Sequence, residues 1–79
     1  MEKIEVTARF SDSGAITPLE FSRQGAAIAV HSVGRSWQTE RGIHIMVMDL
    51  QSQPYHLFFQ LEDATWFQIH DLKPPARPS

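Results

Sequence analysis

A chain of 79 residues with seven Lys and Arg against nine Asp and Glu is one small domain of net charge −2. Its 42% hydrophobic and 20% charged residues are a globular composition, not a disordered one. It has no cysteine, which excludes disulfide staples, zinc ribbons, iron–sulfur clusters and thiol catalysis, and its negative balance argues against nonspecific nucleic-acid binding, which draws most of its affinity from neutralised phosphates.

The opening MEKIEVTARF has alternating charges and no apolar signal-peptide centre. No apolar run approaches the roughly 20 residues of a bilayer span. The expectation is a soluble, cytoplasmic protein with no membrane partner. In KIEVTARF, Ile4, Val6, Ala8 and Phe10 alternate with polar residues, the period of a half-buried strand. SDSG then turns the chain. ITPLEFSR is a second strand, with Leu19 and Phe21 on one face and Pro18 expected at its start or on an edge. The pair Gln24–Gly25 marks a tight turn. AAIAVHSV is a third strand, and GRSWQTERG, residues 34–42, has no period and reads as a loop.

IHIMVMDL is a fourth strand, apolar on both faces and so expected to be central and covered on both sides. QSQP is a hairpin connection. YHLFFQLE is a fifth strand, with Tyr55, Leu57, Phe59 and Leu61 on its apolar face and His56, Phe58, Gln60 and Glu62 on the other. DAT turns into a sixth strand, WFQIHDL, in which either Trp66 or Phe67 joins Phe58. No helical stripe appears. The prediction is an all-β antiparallel meander of about six strands over residues 1–72, a curled sheet or partly open barrel. Three prolines in KPPARPS predict a flexible tail over 73–79.

The succession VTARF (6–10), GAITPLEFSRQG (14–25), VGRSWQTERGIHIMVM (33–48) and HLFFQLEDATWF (56–67) resembles a group of short bacterial proteins and appended domains without an established activity. In that group an ITPL-x-F-x-x-Q-G strand and turn leads to a GR-x-W loop, an H-x-x-VM strand and a final W strand. Similar modules look to occur beside bacterial translesion DNA polymerases and also free-standing. The resemblance covers about residues 4–70. It implies a single bacterial β domain and transfers no catalytic residue or cofactor. Arg23 and Ile28 depart from it, standing where the group carries aromatic residues.

His31, His44, His56 and His70 fall on four predicted strands. Neighbouring strands lie about 4.8 Å apart, so cross-strand histidines can share a metal. No H-x-H, H-x₃-H or carboxylate cluster marks a ligand set, and no metal or other cofactor is expected. Catalysis has no G-x-S-x-G elbow and no Gly-rich phosphate loop to rest on. Hairpins bring Asp49, Glu62, Asp63 and Asp71 towards strand ends, yet Glu62 and Asp63 read as a solvated turn and Asp71 as a strand end. An enzyme is not expected.

The segment GRSWQTERG is the strongest binding candidate. Trp37 stands between Arg35 and Arg41, and Trp and Arg are enriched at interface hot spots. With Arg23 these residues form the expected binding set, against the plainer alternative that Trp37 folds back to cap an open barrel end. Met46, Met48, Phe58 and Trp66 form the expected interface set, an apolar second face covered by a partner. The leading expectation is a noncatalytic protein-interaction module, acting on a second copy of itself or on another protein. The alternative is a nucleic-acid module that stacks bases on Trp37 and holds phosphate with the arginines.

Overall fold

The computed structural model describes residues 1–70, and the tail expected at 73–79 lies outside them. The described residues are all β: β1 (Glu2–Ile4), β2 (Val6–Phe10), β3 (Ile16–Arg23), β4 (Ala26–Ala29), β5 (Ser32–Gln38), β6 (Gly42–Met48), β7 (Pro54–Gln60) and β8 (Thr65–Ile69). They form two antiparallel sheets, a five-stranded one of order β1-β8-β7-β6-β5 and a three-stranded one of order β2-β3-β4. The sheets do not close into a barrel. No helix long and apolar enough to cross a membrane occurs among the described residues.

The eight strands are the six expected ones with two of them bent. The predicted first strand breaks at Glu5. Its first half pairs with β8, placing Ile4 opposite Trp66, and its second half pairs with β3, placing Val6 opposite Phe21. Ser22 holds this corner: its N–H donates to the Glu5 carbonyl (2.9 Å) and its Oγ accepts from the Glu5 N–H (3.0 Å). The predicted third strand breaks at Val30–His31. The Val30 N–H donates back to Leu19 (3.0 Å), and the next N–H, of His31, donates to Met48 in the other sheet (2.7 Å). Strands that switch sheets at a bend are a standard way to turn a sandwich corner.

Two further expectations are corrected. Residues 34–38 are not loop but the second half of β5, with only Thr39–Arg41 left to turn the chain. Their pattern is aperiodic because the strand bulges: Val33 faces Val47 and Ser36 faces Ile45, so Gly34 and Arg35 together oppose Met46. β3 also bulges. Thr7 pairs with Glu20 and Ala8 with Pro18, so Leu19 is the extra residue and leaves the core face. Pro18, fully buried, lies beyond the last β4 pairing at Glu20, where its missing N–H costs no ladder bond on that side.

Tight turns fix the registers. Gln24 and Gly25 have φ of +51° and +82°, the combination that a two-residue hairpin with the favoured twist requires. Between β6 and β7 the Asp49 carboxylate builds the loop, its Oδ1 accepting from the N–H groups of Gln51 (2.8 Å) and Gln53 (2.9 Å). The core lies between the sheets. Ile4, Ile45, Val47, Tyr55, Leu57 and Trp66 of the larger sheet pack against Phe21 of the smaller one, with Val6, Ala8, Ile16 and Ile28 around it. Leu61, expected on this face, is instead exposed in the β7–β8 turn. β6 buries one face only: Met46 is half-buried and Met48 is 41% exposed.

Candidate binding face

The larger sheet has a second face, turned away from the core. Residues directly opposite one another across antiparallel strands project to the same side. The registers therefore place Trp37, His44, Phe58, Phe67 and Lys3 in one row across five strands. The adjacent row holds Met46, His56 and Ile69, with the β5 bulge at its edge. Met48 follows, opposite Ser32 and Pro54. Among the described residues neither row contains an Asp or Glu, while Lys3 and Arg35 supply cationic groups.

The rings of this face are held sideways, by one another. The Trp37 indole stacks on the His44 imidazole, centroids 4.9 Å apart and planes parallel within 1°. The Arg35 guanidinium sits 5.4 Å from the Trp37 ring centre, within cation–π range. His44 Nδ1 and His56 Nε2 share a hydrogen bond of 2.8 Å, and His44 also meets Phe58 at 4.7 Å between centroids. Phe58 is buried although it belongs to the outer face. Its ring lies over Gly42: a Cβ there would come within 2.8 Å of the ring and would overlap the Phe59 carbonyl oxygen. Glycine at Gly42 is thus a close-approach position that lets an aromatic ring cover the backbone.

The sequence-predicted residues separate into groups. Arg35 and Trp37 come together on β5, and Trp37 is 38% exposed, stacked outward on His44 and not folded back over the core. Arg41 lies in the β5–β6 turn, at the far end of the same hairpin, where its carbonyl accepts from the Leu61 N–H (3.1 Å). Arg23 is apart from all three, at the end of β3, with its guanidinium 5.8 Å from the Tyr55 ring centre. Met46, Met48 and Phe58 share the outer face. Trp66 does not: it pairs with Phe59, faces the core and is 8% exposed, and Phe67 takes the outer position beside Phe58. Sequence reasoning missed Lys3 and His44 as members of the face and left open whether Trp66 or Phe67 joins Phe58 on it. Alternation alone puts Phe67 opposite in sense to Trp66, but placing His44 beside Trp37 needs the strand assignment of 34–38.

Among the described residues no three His, Cys, Asp or Glu side chains converge on a point that would hold a metal. Asp49 is occupied in its loop, and Tyr55 adds a third bond by donating its O–H to Oδ2 (2.9 Å). The Gln53 N–H first, and then the Tyr55 and Gln51 bonds, hold the Asp49 carboxyl below its ordinary range against the opposing effect of burial. Burial first, and then the Asp49 carboxylate, push the Tyr55 phenol up. No family model, curated protein or solved structure matches this chain. The bacterial group named above therefore rests on its quoted motifs alone.

Proposed function

We propose that the chain is a noncatalytic protein-interaction module that docks a protein segment on the outer face of its five-stranded sheet. The observation that carries this reading is the composition of that face, which among the described residues holds no Asp or Glu: Trp37, Met46, Met48, Phe67 and Ile69, bordered by Arg35 and Lys3. Trp, Met, Phe and Arg are the types enriched in interface cores and hot spots. The positive border suits a partner that joins large apolar side chains to carboxylates. It suits a second copy of the chain less, since two such faces would oppose like charges.

The nucleic-acid reading has its own observation, the row of Trp37, His44, Phe58 and Phe67 across four strands, which has the form of a base-stacking surface. Three facts weigh against it. Phe58 is buried. Trp37 already has His44 on its ring, with Arg35 also within reach of it. The chain carries a net charge of −2.

A peptide-display selection on the full chain tests the two readings, with Trp37→Ala and Arg35→Glu as counter-selections. The expected consensus pairs a large apolar residue with Asp or Glu and loses binding in both variants. Absence of a consensus dependent on Trp37 overturns the proposal. So do salt-sensitive amide shifts confined to the Trp37–Phe67 row on adding a single-stranded oligonucleotide, which would give the face to nucleic acid. Sedimentation measures self-association in the same samples, and a stable dimer through this face would replace the foreign partner with a second copy.

A further inference from the structure

The larger sheet ends at β5, and every residue of that strand from Val33 to Gln38 is exposed. The turn that follows fixes which backbone groups face outward. Thr39 and Gly42 exchange both backbone hydrogen bonds, each N–H donating to the other's carbonyl, at 2.8 and 3.3 Å. In an antiparallel pair, positions bonded in this way alternate with positions whose N–H and C=O groups point away from the partner strand. Trp37 therefore bonds β6 through its backbone, while Ser36 and Gln38 direct their groups away from the sheet. Among the described residues these outward groups have no hydrogen-bond partner. Native sheets blunt such edges with charges, bulges or short strands. β5 is blunted at one end only: its bulge ends at Arg35, and Ser36–Gln38 beyond it carry no charge and no proline. The opposite edge, β1, has three residues, two of them charged.

The side chains of β5 state what an added strand must carry. On its open side Trp37 is a non-hydrogen-bonded position, where facing residues come closest, with Cα atoms about 4.5 Å apart. A side chain set opposite it rests on the outer face against the indole. Arg35 stands two residues earlier on the same face, its guanidinium 5.4 Å from the Trp37 ring centre. Among the described residues it pairs with no carboxylate. The acid nearest in sequence, Glu40, lies past the other end of the strand, in the turn. A carboxylate on an added strand is therefore favoured opposite Arg35 and disfavoured at the Glu40 end. An antiparallel neighbour runs against β5, so its residue facing Arg35 follows the one facing Trp37 by two places.

We propose that the docked segment adds to β5 as an antiparallel strand and is recognised as a large apolar residue, any residue, then Asp or Glu. The strand addition rests on the docking role proposed above and gives the segment a conformation and an order. Ser36 and Gln38 supply the main-chain hydrogen bonds, Trp37 takes the apolar side chain and Arg35 the carboxylate. In this mode main-chain bonds give affinity and alternate side chains give specificity. A second copy of β5 fits less well, because Ser32–Gln38 holds neither Asp nor Glu to meet Arg35.

The test is a titration of the isotope-labelled full chain with capped peptides, followed through the Ser36 and Gln38 backbone amides and the Trp37 indole N–H. The probes are acetyl-Thr-Leu-Thr-Glu-Thr-amide, the same peptide in reverse order, and two copies of the first N-methylated at the central Thr or at the Leu. The central Thr faces Ser36 and directs its N–H at β5, whereas the Leu N–H points away. Saturable shifts of all three signals at millimolar peptide are expected with the first probe. Binding about tenfold weaker is expected in Arg35→Glu and on methylation of the central Thr, with methylation of the Leu tolerated. Shifts of the Trp37 indole with unmoved Ser36 and Gln38 amides, or equal binding of the peptide methylated at the central Thr, overturn the strand addition and leave the docking face standing. Equal binding of the reversed peptide overturns the order. No saturable shift with any of the peptides also overturns the strand addition, while the display selection decides the docking role separately. A dimer that protects the Ser36 and Gln38 amides without peptide gives the edge to a second copy and overturns the foreign segment.

Discussion

The two faces of the five-stranded sheet carry the same number of Phe, Tyr and Trp rings: Tyr55, Phe59 and Trp66 inside, Trp37, Phe58 and Phe67 outside. They differ in what holds the rings. Inside, a second sheet covers them: Phe21 meets Tyr55 edge-on at 5.0 Å and Phe10 meets Phe59 at 5.9 Å. Outside, support runs laterally, from Arg35 to Trp37 to His44 and on to Phe58 and His56. Aromatic content therefore does not separate core from binding surface in this chain. Register and the presence of a second layer do.

The sharpest way to measure the difference is to remove equivalent bulk from each face. Leu57 is wholly buried, and Leu57→Ala leaves a cavity between the sheets. A loss of about 2–5 kcal/mol is expected, which for a domain of this size lowers the melting temperature by roughly 4–8 °C per kcal/mol. Met46→Ala, on the half-covered face of the adjacent strand, should cost clearly less. Denaturant melts of both variants check this, and equal losses would mean that the outer face is as much a core as the inner one.

A second substitution attacks the support of the outer face without touching its exposed side chains. Gly42→Ala drives a Cβ into the Phe58 ring and the Phe59 carbonyl. Overpacking of this kind costs about 1–3 kcal/mol. Because the second clash is with backbone, adding Phe58→Ala should not restore stability. Full recovery in the double variant would show that the ring alone sets the constraint.

The β6–β7 loop beside the inner face also has a polar group whose effect is read by pH. Asp49 titrates below its ordinary range in the folded chain, so its contribution is present above the unfolded value of about 3.9 and is lost as pH falls through the lower folded one. Asp63 shifts in the same direction, first through its bond with the Thr65 side chain. Tyr55 is raised, so its contribution is present below about 10 and is lost as pH rises above that. Thermal melts should fall at both extremes. Asp49→Asn should flatten the acid limb in part, with Asp63 keeping the remainder, and Tyr55→Phe should flatten the alkaline limb. An acid limb of unchanged slope in Asp49→Asn would remove Asp49 from this role.

Much of the inner face was legible in the sequence. The alternation Tyr55–Leu57–Phe59 and Ile43–Ile45–Val47 names the residues that the core uses, and Gln24–Gly25 announces its turn. The bends at Glu5 and Val30–His31 were not legible, because a strand that changes sheets keeps its period through the corner. Nor were the bulges, which shift Leu19 off its expected face and put two residues opposite Met46. Residues 34–38 owe their β structure to pairing with β6, a tertiary effect that local propensity does not carry. The adjacent Trp66 and Phe67 must face opposite ways, and the turn from Leu61 to Ala64 settles which goes inside by setting Trp66 against Phe59.

Trp37→Ala should give the smallest stability effect and the most informative one. The indole's stack on His44 and its contact with Arg35 are each worth about 0.5–1.5 kcal/mol, and an edge strand that is already exposed leaves little cavity behind. A loss near 1 kcal/mol is expected, well below that of Leu57→Ala, together with loss of binding to any segment selected on the outer face. The two tryptophans allow an independent check. In single-tryptophan variants, iodide should quench Trp37 fluorescence readily and Trp66 weakly, because one is 38% and the other 8% exposed. Addition of the bound segment should then protect Trp37 and leave Trp66 unchanged. Equal quenching of both would collapse the distinction between the faces, and protection of Trp66 instead of Trp37 would move the docking surface off the outer face.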